Sequence, residues 1–247
     1  MAALSDQAIC LRRIDYSENS QVLVVLTRRH GKQRLIAKGI KRAKKGQVAV
    51  GVDLLELGQV GYLPRPQSAD ALGVLTEWKQ SDNFAGLRLC LLSLYAGQYA
   101  AEVTTMLTED DDPHPALFDA LAELLAALAD AQPPVQSLVG FQAVLLKQVG
   151  FMPRLDSCVS CSRRPPWPEP VYLTAHEGGL LCPDCEPAHI EKYRLNWPTV
   201  WAVGSPRQAG RAAAVASFEM LDYYITETVG RQPKVASFLR QVAGGRR

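Results

Sequence analysis

Four cysteines in two close pairs constrain this chain more than any other feature. Cys158 and Cys161, then Cys182 and Cys185, form two C-x2-C pairs separated by twenty residues, a spacing that suits a structural zinc site. Two residues between thiolates let one tight turn aim both sulfurs at the same ion, and two such turns complete a tetrahedron. Four sulfur ligands leave no open coordination position, so the ion would hold structure and activate no water. Between the pairs stand a strand-like stretch, Val171 to Thr174, and a Gly178-Gly179 turn, the way a zinc ribbon or knuckle presents its second pair. Two other readings compete. A rubredoxin-like iron site uses similar pairs, but glycine commonly follows each pair there and Ser162 and Glu186 stand here. Redox exchange within one pair would want a thioredoxin-like βαβ setting, which is absent. Cys10 and Cys90 are read as buried small hydrophobes. His176-Glu177 begins like a zinc-protease HExxH motif, but position 180 is leucine and the match fails.

A second feature is electrostatic. Nine Lys or Arg residues fall between Arg28 and Lys45, and no Asp or Glu occurs between Glu18 and Asp53. The net charge of +2 hides this asymmetry: residues 1–80 carry 13 cations against 7 acids, residues 81–157 carry 3 against 10, and residues 158–247 carry 11 against 8. A solvated, lysine-rich surface would be the bland account of the run. Nine uncompensated cations, however, repel one another in a compact state unless a polyanion neutralises them, which points to nucleic acid.

The first eighty residues read as about five short strands. Ala8–Ser17, Gln21–Arg29, Lys32–Gly39, Val52–Leu63 and Ala71–Lys79 are rich in β-branched and large apolar residues, with a hairpin turn at Gly31. That pattern suits a small closed barrel, an OB-fold or an SH3-like barrel. Alternation along the third strand puts Lys32, Arg34 and Lys38 on one face and Gln33, Leu35 and Ala37 on the other. From residue 83 the period becomes helical, over Asn83–Leu107, Pro115–Asp130, Val135–Gly150, Gly210–Gly230 and Lys234–Gly244. The expected organisation is therefore α+β and multidomain: an OB-fold β-barrel over 1–82, then an α-helical domain over 83–247 with an inserted four-cysteine zinc finger at about 155–188. The acidic Glu109–Asp112 segment could be taken for a magnesium site, but carboxylates and proline also gather where a helix begins, and helix initiation is the reading preferred here.

No secretory leader or spanning segment is evident, since the charge-free stretch Leu89–Ala101 is shorter than the roughly 18 residues a transmembrane helix needs. A cytoplasmic protein with reduced thiols is expected. Neither a phosphate-cradling loop nor a nucleophile elbow is present, so binding is favoured over catalysis. Tyr16, Tyr62 and Trp78 could stack on bases, but each is read in preference as a core or rim residue of the barrel.

These pieces resemble the RecO family of bacterial recombination mediators. The resemblance rests on AICLRRIDYSENSQVLVVLTRRHGKQRLIAKGIKRAKK, LKQVGFMPRLDSCVSC and GLLCPDC, and runs over essentially the whole chain. It implies a non-enzymatic DNA repair protein of the RecF recombination pathway, cytoplasmic and nucleoid-associated. Such a protein binds single- and double-stranded DNA, anneals complementary strands, contacts the acidic tail of single-stranded-DNA-binding protein, and loads RecA with the help of RecR. DNA would lie on Arg28, Lys32, Arg34, Lys38, Lys41, Arg42, Lys44 and Lys45. One structural zinc ion would sit on Cys158, Cys161, Cys182 and Cys185. The acidic tail would need a basic, apolar pocket, for which Arg207, Arg211, Arg231 and Lys234 are candidates. An RNA-binding OB protein and a zinc-dependent nucleic-acid enzyme are the rival readings.

Overall fold

A computed structural model describes residues 2–40, 51–66 and 71–243. Its N-terminal part is a closed barrel of β1 (Leu4–Ser17), β2 (Ser20–Thr27), β3 (Gly31–Ala37), β4 (Leu57–Leu63) and β5 (Gly73–Asp82), ordered β1-β2-β3-β5-β4. This is the OB arrangement of five strands. β1 is long enough to serve two partners: its first half pairs with β4 from Leu4 to Ile9, and β2 follows it from Ala8 to Ser17 across two bulges. Inward-facing Ala8, Cys10, Leu23, Val25, Leu35, Val60 and Tyr62 fill the interior. The alternation expected along β3 holds, with Gln33, Leu35 and Ala37 buried.

β3 and β5 meet in parallel over only two residue pairs, Leu35 with Gly73 and Ile36 with Val74. The other end of β3 would be an open edge, a costly place for unpaired amides and carbonyls. A turn from the helical domain covers it. Asp110 bridges to Lys32 in parallel, and the Asp111 amide donates to the Lys32 carbonyl at 3.0 Å. Gly31, at φ 69°, permits both the hairpin and this approach: a Cβ there would stand 2.2 Å from the Asp112 carbonyl oxygen.

Charge reinforces the same seam. The Lys32 ammonium is nearly buried and donates to the Thr105 and Thr108 carbonyls at the end of α1 (Leu91–Leu107), 3.5 Å from Asp110. Burial draws its pKa below the ordinary lysine value, and Asp110 opposes that. Arg34 and Arg65 also reach Asp110, at 2.8 and 3.1 Å, and Gln33 donates to Asp111 at 2.9 Å. The acidic segment therefore does not serve helix initiation as expected. Pro115 opens α2 (Pro115–Ala129), but its first turn holds no acid; Asp110 and Asp111 turn back to the barrel, while Asp112 pairs with His114 just before the helix. Asp119 on α2 takes Arg28 through two hydrogen bonds of 2.9 Å.

The helical domain adds α3 (Pro134–Gln148), α4 (Trp197–Gly204), α5 (Arg211–Val229) and α6 (Ala236–Ala243). The helical period starting at Asn83 is interrupted. A 3-10 turn at Ala85–Leu89 gives way to extended Cys90, and α1 begins at Leu91. Cys90 is consequently exposed and not the buried hydrophobe expected of it; amide donation from Ser93 in the first turn of α1 lowers its thiol pKa. The sequence reading missed α4, whose aromatic and β-branched residues between Pro198 and Ser205 carry little helix signal. At the centre, the fully buried Tyr99 hydroxyl donates to Asp222 and accepts from Gln142, both at 3.0 Å, while Arg240 on α6 completes Asp222 at 2.6 Å. One apolar core runs without a break from Ile9 and Leu26 of the barrel through α1, α2, α3 and α5 to Cys158 and Leu180.

Lys32→Met keeps the side-chain volume but leaves two α1 carbonyls and Asp110 without their donor. Urea unfolding should show a loss of about 2–4 kcal/mol. A loss below about 0.5 kcal/mol would mean that the seam does not depend on this amine.

Candidate nucleic-acid interface and metal centre

The cation run divides once the fold is formed. Arg28 and Arg34 are paired with Asp119 and Asp110, and Lys32 is 8 % exposed. Arg29 reaches Asp6, which is buried and also accepts from the Arg29 amide and lies 2.9 Å from His30 Nδ1. Burial alone would raise the Asp6 carboxyl, but these donors hold it below the usual carboxylate range. A phosphate-facing Lys32 is thus corrected: its ammonium is committed to protein carbonyls. Lys32 and Arg34 lie within β3 toward the helical domain, whereas Lys38 falls in the turn just beyond the end of β3.

At the water end, Lys38 is exposed and forms no ion pair among the described residues. It lines a hollow of about 410 Å³ with Tyr16, Ser17, Asn19, Ser20, Ile36 and Gly39. Tyr16 is 71 % exposed, whereas Tyr62 is 1 % exposed and Trp78 packs on the barrel core. Among the three aromatic candidates, then, Tyr16 offers a ring to solvent. Lys41, Arg42, Lys44 and Lys45 follow this hollow in sequence and lie outside the described residues.

A larger cleft of about 760 Å³ separates the barrel from the helices. Arg12 and Arg13 of β1, Arg88, Arg231 and Lys234 rim it, over a floor that includes Leu54, Leu94, Met106 and Val235. Asp53 is held between Arg13 and Arg88, at 3.0 and 2.8 Å, and Glu102 accepts from the Lys234 and Val235 amides. Arg231 and Lys234 thus share a basic, apolar site. Arg207 lines a separate groove over α2 and α3, and Arg211 donates to the Ala243 carbonyl at 3.0 Å, so the four expected peptide contacts do not form one patch. Arg12, Arg13 and Arg88 went unnoticed in the sequence, where each lies outside the dense charge run or in a different segment.

The cysteine pairs converge. Their four sulfurs lie within 4.8 Å of one another, and Cys161 and Cys182 stand 3.7 Å apart. A tetrahedron with metal–sulfur bonds of roughly 2.3 Å has edges of about 3.8 Å, so the set fits a closed four-sulfur centre. Each pair is shaped by the same turn: the Ser162 amide donates to the Cys158 carbonyl and the Glu186 amide to the Cys182 carbonyl, both at 2.9 Å. All four cysteines are free thiols. Burial would raise the Cys158 thiol, yet donation from the Cys182, Cys161 and Ser160 amides brings it down to about 7. Cys185, sharing protons with Cys182 and Cys161, is pushed up to about 12. Four thiols this close oppose one another's ionisation, an opposition that a divalent ion would relieve. The pairs belong to a sheet of β6 (Arg154–Cys158), β8 (Gly179–Leu181), β7 (Val171–Thr174) and β9 (Tyr193–Leu195), in that order. Cys158 and Cys182 are fully buried in the common core.

If that centre holds zinc, the purified protein should carry about one ion per chain by elemental analysis. Cys158→Ser should lower metal content and melting temperature together. A metal-free variant with the parent melting curve would remove the structural role.

Comparison with known proteins covers both halves of the chain. Residues 1–84 match the family model for the recombination protein O N terminal domain, and residues 88–236 match the one for its C-terminal domain. A DNA repair protein RecO of Rhodopirellula baltica is 31 % identical over 197 residues, covering 79 % of this chain and 72 % of the relative. One from Anaeromyxobacter dehalogenans strain 2CP-C is 30 % identical over 244 residues, 95 % of this chain and 94 % of its own. The Myxococcus xanthus protein is 28 % identical over 250 residues, at 98 % and 99 % coverage.

Proposed function

Because the chain belongs to the RecO family of DNA repair proteins, we propose that it works without catalysis in the RecF recombination pathway. It binds single- and double-stranded DNA, anneals complementary strands, and with RecR loads RecA onto DNA covered by single-stranded-DNA-binding protein. The work takes place in the cytoplasm, on the nucleoid. The observation that carries this reading is the unequal use of the cation run. Arg28, Lys32 and Arg34 are answered by Asp119 and Asp110, while Lys38 meets water at the point where Lys41, Arg42, Lys44 and Lys45 continue the chain.

Annealing brings two polyanions together, and its barrier is phosphate repulsion. Cations left without protein partners lower that barrier without reading sequence. On this reading Lys38 and the 41–45 segment hold phosphates, Tyr16 offers a stacking plane for a base, and Lys32 keeps the barrel in place. The cleft between barrel and helices takes the acidic tail of single-stranded-DNA-binding protein, with Arg231 and Lys234 engaging carboxylates and the Leu54–Leu94–Met106 floor an apolar side chain. The metal centre holds zinc and supports the fold.

Annealing of complementary oligonucleotides should accelerate without nucleotide or magnesium, be suppressed by salt, and leave strand lengths intact; cleavage would favour an enzyme. Reversing Lys38, Lys41 and Arg42 to Glu should weaken binding equally across sequences. It should also flatten the log-log salt slope by roughly 2, three contacts at roughly 0.7 each. Lys32→Met should leave that slope unchanged, and an unchanged slope in the triple variant would move DNA off the barrel. Separately, an acidic peptide with an apolar C-terminal residue should lose at least roughly tenfold in affinity when Arg231 and Lys234 are both made Glu, with annealing of naked strands retained. Equal binding by the variant would displace the peptide from the cleft.

A further inference from the structure

Two acids line the cleft between barrel and helices, and they are used differently. Glu102 of α1 accepts the Lys234 and Val235 amides at 2.9 and 3.0 Å, so both its oxygens are spent on the backbone that leads into α6. Asp53 instead takes two side-chain cations from separate parts of the chain. One oxygen lies 3.0 Å from Arg13 of β1, and the other 2.8 Å from Arg88 in the 3-10 turn that precedes α1. The two guanidinium side chains remain 41 % and 40 % exposed and Asp53 32 %, so this fork is open to solvent.

Asp53 reaches the fork on a fixed turn. The Leu54 amide donates to its Oδ1 at 2.7 Å. Leu55 is buried at φ 67° and donates its amide to the Cys10 carbonyl, while the Cys10 amide donates to the Glu56 carbonyl, both at 2.9 Å. A leucine holds a left-handed φ only where its surroundings enforce it, and here β1 and the core do so. Arg88 is aimed as well, since its Nη1 donates to the Asn83 carbonyl at 2.8 Å. The carboxylate is thus delivered to the two arginines by the backbone.

We infer that Arg13 and Arg88 form a second carboxylate site for the acidic peptide, and that Asp53 fills it as an internal stand-in until the peptide displaces it. This rests on the reading of the cleft as the tail site and adds its regulation. Arg12, Arg231 and Lys234 rim the same cleft and form no ion pair among the described residues. A peptide with several carboxylates can therefore engage Arg231 and Lys234 on the helical side and reach Arg13 and Arg88 across the cleft, tying the barrel to the helices. A carboxylate suits the pair better than a nucleotide: the fork already holds one, and no aromatic ring lines the cleft for a base to stack on. Displaced, Asp53 keeps the Leu54 amide as a donor. Binding then exchanges one ion pair for another, which holds the affinity down and keeps the tail releasable.

The test uses the full chain and a labelled synthetic peptide of four aspartates with a C-terminal leucine. Fluorescence anisotropy compares the parent, Asp53→Asn, Arg13→Gln and the combination of the two, with oligo-dT titrated in parallel. Asp53→Asn should bind the peptide roughly 2- to 10-fold more tightly, the worth of one or two part-exposed ion pairs, and adding Arg13→Gln should remove the gain. That dependence on Arg13 separates a freed site from the mere loss of a negative charge. Parent-like binding by Asp53→Asn, a gain that survives Arg13→Gln, or a gain for oligo-dT alone overturns the inference while leaving the tail in the cleft. Should Asp53→Asn fail to fold, Arg88→Gln decides: it should weaken the peptide at least roughly twofold, and parent-like affinity overturns the site. Peptide binding that is unchanged when Arg231 and Lys234 are both made Glu overturns the tail site and this inference together.

Discussion

The two parts of this protein are joined by a turn of acidic residues laid against the open edge of a barrel strand. Asp110 and Asp111 supply backbone partners where β3 has no neighbour, and their carboxylates answer Lys32, Arg34 and Arg65. The Lys32 amine also closes the last carbonyls of α1, the negative end of a helix dipole, where a cation is favoured. One buried lysine thereby satisfies a strand edge, a helix end and a carboxylate. That contact takes Lys32 out of the set of positive charges available to a ligand, while Lys38 remains exposed.

This division explains what the sequence could reveal. The five strands, most of the helices and the cysteine quartet are local patterns, carried by period, turn residues and spacing. Charge compensation is not local. Arg28 finds Asp119, ninety-one positions away, and Gln33 finds Asp111 after seventy-eight. A run that looks uncompensated along the chain has Arg28, Lys32 and Arg34 answered in space by the acid-rich middle, whose negative charge seemed a separate matter. Lys32 and Lys38 are indistinguishable by residue type; what separates them is that Lys32 lies in the half of β3 capped by the acidic turn and Lys38 in the turn beyond the strand's end. The exposure of Cys90 escaped for a similar reason: the helical period continues across a point where the backbone is extended.

The four-cysteine module is not an appendage either. Cys158 and Cys182 are buried in the core that also contains Phe218 and Leu145, and the strand ladder that aims them ends at Leu195, two residues before α4. Trp167 and Trp197 pack at that junction. The surface presented by α4 is thus set by the same short sheet that gathers the four sulfurs.

The shared edge of β3 has a consequence for taking the protein apart. A fragment ending at Asp82 would retain all five strands and most of their interior, but Gly31 to Arg34 would lose the turn that caps them. A bare strand edge seeks another strand. The severed barrel would present a sticky end suited to its own copies, and fibrous or oligomeric material would be the natural fate of a fragment that looks, by its strand count alone, self-sufficient.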